Sequence, residues 1–244
     1  MCGRLFMTSP PEAYRALLGY GERPNFPARY NIAPTQPVAL AVNEGGRRRF
    51  RLARWGLWPA WSKDPTGLPL MINARAETMA EKPAFRGAFR HRRCVFLCDG
   101  FYEWRREGEG RRARRSPFAV RRADGAPMVL AGLWETWSSP DGSEIDTAAV
   151  VTTDANGSMA AIHDRMPAIL SVGAVAEWLD PIGTGPAEAA ALCRPCPDGI
   201  IRIDPVGPAV GDVRRDDPSL LEPQAGTDAP PAAERGGEAQ GRLF

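Results

Sequence analysis

Apolar positions along this chain fall in short runs, most with strand rather than helix spacing. Residues 38–42 are an apolar run and 50–58 continue in an alternating style, and both read as strands. The stretch 93–104 holds the apolar run Cys94-Val95-Phe96-Leu97-Cys98, a turn at Asp99-Gly100 and a second short strand. Residues 118–120 and 128–134 flank Ala123-Asp124-Gly125 and predict a hairpin around that turn. Residues 148–152 have a buried-strand pattern, and 200–203 predict a late strand. Helices are few. Pro11–Leu18 starts on Pro-Glu and places Tyr14, Leu17 and Leu18 on one face; Ser171 caps a helix running to Leu179; residues 187–192 form another. Strands outnumber helices and no βαβ alternation appears. The expected fold is α+β: a single domain with a largely antiparallel, barrel-like β core and peripheral helices.

A chain of 244 residues fits one large domain or two small ones and can bury a core without metals or disulfides. Its 31 basic and 29 acidic residues give a net charge of +2, which argues against a polybasic nucleic-acid binder. The average hides a gradient: residues 216–244 hold six acids and two bases, so the body is basic and the tail acidic. From Gln224 onward Pro, Gly, Ala and charge dominate, and 224–244 read as a disordered acidic tail. All but two of the bases are Arg, a composition that suits GC-rich coding and costs a phosphate binder nothing. The Arg cluster in 107–115 reads either as a solvated hairpin tip or as a phosphate track. No run of 18 apolar residues and no signal-peptide layout occurs, so a cytoplasmic protein without membrane contact is expected. Five cysteines are an odd number for a disulfide framework. Cys193-Arg194-Pro195-Cys196 has metal spacing, but Cys94 and Cys98 lie in an apolar β run that favours core thiols, so no metal is expected.

The chemistry begins at Cys2. Removal of Met1 would leave a free α-amine and a thiol on adjacent carbons. The amine can form a Schiff base with an aldehyde, and the thiol can then close a thiazolidine. The same residue also fits an N-terminal-nucleophile hydrolase, in which the thiol attacks a carbonyl and the amine is the base. A chance Cys at this position competes with both. His163, in Ile162-His163-Asp164-Arg165-Met166-Pro167, is flanked by a carboxylate and an Arg before a rigid Pro, which suits a positioned acid/base group. His91 sits among bases and reads as a surface residue. If the strand at 70–72 continues, Asn73 and Arg75 share a face and offer an amide beside a cationic fork. Glu103 lies between aromatics after a buried strand, where it could shuttle protons or be a half-exposed strand residue. Trp61 sits in a loop and could stack on a base, whereas Trp55, Trp58 and Trp104 read mainly as packing.

Taken in order, these motifs resemble the SRAP (SOS response-associated peptidase) family of abasic-site processing proteins. The residues that carry the resemblance are Met1-Cys2-Gly3-Arg4, Arg29-Tyr30-Asn31-Ile32-Ala33-Pro34, Trp55-Gly56-Leu57, Ile72-Asn73-Ala74-Arg75-Ala76-Glu77-Thr78, Asp99-Gly100-Phe101-Tyr102-Glu103-Trp104 and the His163 segment. Pro205-Val206 and 216–221 also fit, so the resemblance spans 2–223. It implies a single-domain SRAP fold and binding of single-stranded DNA that carries an abasic site. It further implies a thiazolidine DNA–protein crosslink through Cys2 that shields the lesion. A Cys2-dependent peptidase that removes its own Met1 is the alternative, and hydrolase or lyase activity would accompany either chemistry. The implied catalytic set is Cys2, Asn73, Glu103 and His163. Arg4, Arg75 and Arg165 would hold phosphates, and Pro34, Trp61 and Trp104 would support bases. No cofactor is implied, and a monomer is expected, associated with the nucleoid during repair. Two departures stand out: Asp212 where the family has Asn, and Leu97 where it has Pro. Gln240, Leu243 and Phe244 separately resemble a peptide that docks on the bacterial sliding clamp.

Overall fold

Twelve strands fall into two sheets in the structure, a computed structural model that describes residues 2–108 and 114–224. The first sheet closes on itself. β3 (Pro37–Glu44) pairs with β4 (Arg47–Trp55) and with β6 (Arg93–Cys98); β6 pairs with β9 (Met128–Ser138), and β9 pairs with β10 (Glu144–Asp154). A parallel contact of β10 with β4, Ala148 beside Trp55, completes the ring. The result is a five-stranded barrel in which only that closing contact is parallel. Closure is tight at Gly132, where a Cβ would lie 2.6 Å from the Phe96 ring, so only glycine lets that ring fill the interior. β6 is buried along its whole length and so reads as a continuous apolar run rather than an alternating one.

β10 outruns its barrel partners and carries two further strands. On one edge β5 (Asn73–Arg75) runs parallel to it, with Val150 beside Asn73 and Thr152 beside Arg75. On the other, β11 (Arg165–Pro167) runs antiparallel, with Thr152 beside Pro167 and Asp154 beside Arg165. Side chains of paired residues share a face. Asn73, Arg75, Thr152, Asp154 and Arg165 therefore lie on one face at the end of the barrel.

The second sheet has the order β12 (Ile201–Pro205), β8 (Arg114–Arg122), β7 (Gly100–Glu107), β1 (Leu5–Met7), β2 (Arg29–Ile32) and is antiparallel throughout. Leu5, Phe101, Phe118 and Val120 join the main core, while Phe6, Tyr102 and Ala119 form a smaller cluster with Val206, Val210 and Leu220. The chain crosses between sheets at Asp99. Its carboxylate accepts hydrogen bonds from the main-chain amides and hydroxyls of Thr8 and Ser9 and from Tyr14 Oη at 2.6 Å, fixing the segment that follows β1. Helices α1 (Pro11–Leu18), α2 (Arg86–His91), α3 (Gly157–Ala160), α4 (Ala174–Leu179) and α5 (Pro186–Leu192) are short and peripheral.

The α+β class, the closed core and the peripheral helices match expectation. The hairpin expected around Ala123-Asp124-Gly125 does not form. β8 pairs with β7 and β12, and β9 with β6 and β10, so the turn carries the chain from one sheet to the other. Turn chemistry bends the backbone but does not choose a strand's partner. The helix before Leu179 begins at Ala174, whose amide donates to Ser171 Oγ at 3.2 Å. The tail, including Gln240, Leu243 and Phe244, and the tip of the Arg cluster at 109–113 lie outside the described residues.

Candidate functional site

Cys2 is 1% exposed and packs into the main core just before β1. The Asn73 side-chain amide donates to its carbonyl at 2.9 Å, bridging 71 residues of sequence. β1 and β7 pair with Leu5 opposite Phe101. Carried two residues further, that register places Gly3 opposite Glu103. Glu103 is 4% exposed, and its carboxylate is close enough to act on the Cys2 thiol. Burial first, and then the Glu103 charge, push that thiol well above its ordinary range. With Met1 attached, the sulfur is therefore held as a neutral thiol.

His163 follows α3 and precedes β11. Its Nδ1 accepts the Arg165 main-chain N–H at 3.0 Å. Asp164 Oδ1 lies 2.7 Å from the same Nδ1 and is placed to take over that nitrogen when the ring is doubly protonated. Arg165 is 9% exposed. Its guanidinium forks onto Glu77 with both contacts at 2.8 Å, meets Asp154 at 2.5 Å and donates to the Thr152 carbonyl at 2.8 Å. These partners raise its already high pKa and lower that of Glu77, the Arg165 hydrogen bond being the leading cause for Glu77. Arg165 is thus a paired cation at the rim, in contrast to Arg75, which is exposed on the same face.

Arg4 is half-buried and turned the other way. It donates to Asn31 Oδ1 at 2.7 Å and to the Val210 carbonyl at 2.6 Å, and its guanidinium lies 5.7 Å from the centre of the Trp104 ring. Asn31 is buried and donates in turn to the carbonyls of Val210, Asp212 and Arg215. Asp216 accepts from Arg29 and from the amides of Tyr30 and Asn31. The Arg29–Asn31 motif therefore ties the C-terminal segment 208–221 across the second sheet. Asp212 belongs to this strap: Arg214 holds its carboxylate down at a pKa of about 2.

Pro34 is half-buried, in a turn whose next residue, Thr35, has φ 73°. Trp61 is 64% exposed, its indole N–H fixed on the Pro83 carbonyl at 3.3 Å, and it shares an open groove with Arg86. The structure thus brings Cys2, Asn73 and Glu103 together and puts Arg75, Arg165 and His163 around the end of β10. Trp61 stands on a separate loop. Thr152 was not anticipated. Its hydroxyl is buried and, like Asn73 Oδ1, has no hydrogen-bond partner among the described residues. Its place directly after the apolar run Ala148–Val151 is the sequence signal that could have marked it.

A family model described as SOS response associated peptidase (SRAP) matches residues 1–213. The chain is 37% identical over 193 residues to abasic site processing protein YoqW of Bacillus subtilis, covering 79% of this chain and 85% of that protein. It is 32% identical over 230 residues to abasic site processing protein YedK of Escherichia coli, covering 91% of this chain and all (100%) of that protein. Among solved structures, a Bacteroides thetaiotaomicron protein superposes with a TM-score of 0.82 at 24% identity, covering 91% of this chain and 100% of its own, a likeness of fold alone. A phage-related protein of Bordetella bronchiseptica gives a TM-score of 0.70 at 28% identity over 84% of this chain and 94% of its own.

Proposed function

This chain belongs to the SOS response associated peptidase family, and we propose that it recognises abasic sites in single-stranded DNA and seals them in a covalent crosslink through Cys2. The observation that carries this reading is the meeting of Cys2 with Asn73 and Glu103. Removal of Met1 turns the Cys2 amide nitrogen into an α-amine, with a reference pKa of about 8. The amine attacks the ring-opened deoxyribose aldehyde, and loss of one water gives a Schiff base. The thiol then adds to the imine carbon, its proton passes to the nitrogen, and a thiazolidine closes. One water leaves overall, and no oxidant or reductant is required.

Each side chain has a task in that sequence. Asn73 holds the Cys2 carbonyl so that amine and thiol face one carbon. Glu103 takes and returns the amine's proton. His163 assists opening of the sugar ring. The unsatisfied Asn73 Oδ1 and Thr152 Oγ1 meet sugar oxygens. Arg75 and Arg165 face the flanking phosphates, Arg4 steadies Trp104 through its guanidinium's contact with the ring, and Pro34, Trp61 and Trp104 support neighbouring bases.

Residues 2–223 form the working domain in this reading, and 224–244 serve as a tether whose Gln240, Leu243 and Phe244 dock on a sliding clamp. Deleting the last five residues should abolish clamp pull-down; unchanged capture would remove that part. No helix among the described residues is long and apolar enough to cross a membrane. A cytoplasmic monomer that joins the nucleoid at lesions accords with the DNA substrate.

The family description favours a second reading, a peptidase in which the Cys2 thiol attacks a peptide carbonyl. Incubation with an abasic oligonucleotide followed by a denaturing gel separates the two. Crosslinking predicts a shifted band that Cys2→Ala removes. A peptidase predicts no band and peptide turnover indifferent to DNA.

A further inference from the structure

We propose that Thr35 is a further DNA contact, its hydroxyl donating to a phosphate oxygen of the strand that passes Cys2. This rests on the DNA reading above. Ala33-Pro34-Thr35-Gln36 is a tight turn, closed by the Gln36 N–H on the Ala33 carbonyl at 3.2 Å. Pro34 has its own φ locked in the negative range, and Thr35 follows at φ 73°. That combination is a type II turn, whose third residue is normally Gly or Asn. Thr35 is the one non-glycine residue with positive φ among the described residues. A branched Cβ is disfavoured there, so a side chain stands where the backbone asks for none.

The strain is held by the surroundings. The Thr35 N–H donates to the Trp55 carbonyl at 2.8 Å, and the Trp55 N–H donates back to the Gln36 carbonyl at 3.0 Å. Gln36 Oε1 accepts from the Ala33 N–H at 3.1 Å and from Arg29 at 2.9 Å. None of these bonds uses the Thr35 side chain, which is exposed. Its hydroxyl has no hydrogen-bond partner among the described residues. Strained backbone held this firmly, with an idle polar group at its tip, points to a ligand.

The place of the turn says which ligand. It links the two sheets on the Cys2 side. It leaves β2 at Ile32, opposite Leu5 near the start of the chain, and enters β3 at Pro37, opposite Arg54 near the end of β4. Trp55, which grips the turn, also donates its indole N–H to the Ile72 carbonyl at 3.0 Å. The next residue, Asn73, holds the Cys2 carbonyl. Thr35 is therefore tied through Trp55 to the strand that carries Asn73 and Arg75. Threonine hydroxyls commonly meet the DNA backbone, where they set position without reading sequence.

The test uses the full chain in a Cys2→Ala background. The probes are a single strand with a non-reactive tetrahydrofuran abasic analogue and the same strand undamaged. Thr35→Val keeps the branched shape and loses the hydroxyl. Its affinity for both strands should fall about tenfold, the loss expected for one hydrogen bond to a charged oxygen. The slope of log affinity against log salt should stay unchanged, because no cation is removed. Thr35→Ser should bind as the parent does. Thr35→Gly should lose affinity like Thr35→Val, while its melting temperature holds or rises as the strain is relieved. Parent-like binding by Thr35→Val overturns the contact. So does a loss confined to the abasic strand, which would give the hydroxyl to the lesion sugar. A lower melting temperature in Thr35→Gly overturns the strain. A parent that binds neither strand overturns both this contact and the DNA reading. Wild type that fails to crosslink, beside variants that behave as expected, counts against the lesion chemistry alone.

Discussion

The Asn73 side-chain amide donates to the Cys2 carbonyl at 2.9 Å, so an edge strand of the barrel holds the residue on which the proposed chemistry depends. Losing one such bond costs about 1 kcal/mol. Asn73→Ala should therefore slow adduct formation about fivefold or more while lowering the melting temperature by no more than about 2–4 °C. Single-turnover gels on an abasic oligonucleotide read the rate, and an unaltered rate would detach Asn73 from catalysis.

Arg165 answers to Glu77 and Asp154 in the free protein. If a phosphate shares that fork, Arg165→Ala should lower capture by roughly tenfold to a hundredfold, as loss of a charge-assisted hydrogen bond does. It should also flatten the salt dependence. Glu77→Gln breaks only a half-exposed ion pair and should change stability by less than about 1 kcal/mol. An Arg165→Ala loss that tracks the melting temperature with an unchanged salt slope would make the residue purely structural.

The two-residue period already put Asn73 and Arg75 on one face, and the strand runs at 38–42 and 93–98 were legible because buried strands leave long apolar stretches. The partners were not legible. Asn73 reaches Cys2, and Arg165 reaches Glu77, only because β10 outruns the barrel and collects β5 on one edge and β11 on the other. Such pairings depend on contacts 70 to 90 residues apart, which no local window contains. Ala123-Asp124-Gly125 failed as a hairpin for the same reason. Asp99 looked like a turn residue; its role as the anchor of Thr8, Ser9 and Tyr14 appears only once the two sheets meet.

Cys193 and Cys196 are raised by burial to about 12 and about 11 from an ordinary 9.0. A thiol with a raised native pKa stays neutral in the fold while the unfolded chain ionises. Its contribution to stability is full below pH 9 and is lost as pH rises through 11 and 12. Native protein at pH 8 should therefore resist iodoacetamide at both positions, and unfolding midpoints should fall above pH 9. Rapid native alkylation at pH 8 would contradict the burial.

Gly100 follows the Asp99 corner, where a Cβ would sit 2.1 Å from the Val120 carbonyl and 2.4 Å from the Phe6 ring. Gly100→Ala should cost at least about 2 kcal/mol, or about 4–8 °C of melting temperature. At Gly21 a Cβ meets nothing within 4 Å, so Gly21→Ala should shift the melting temperature by less than about 2 °C. Equal shifts in the two variants would contradict the close packing at the corner.

The central claim is tested most directly by the mass of the Cys2-bearing peptide after reaction with an abasic oligonucleotide. The account predicts a species equal to the sum of peptide and sugar fragment less one water, formed without borohydride, stable to denaturation and beginning at Cys2 with Met1 gone. Cys2→Ser, which keeps the amine and loses the thiol, should give an adduct only when borohydride traps the Schiff base. An unmodified Cys2 peptide, or a wild-type adduct that needs borohydride to survive, would contradict thiazolidine capture.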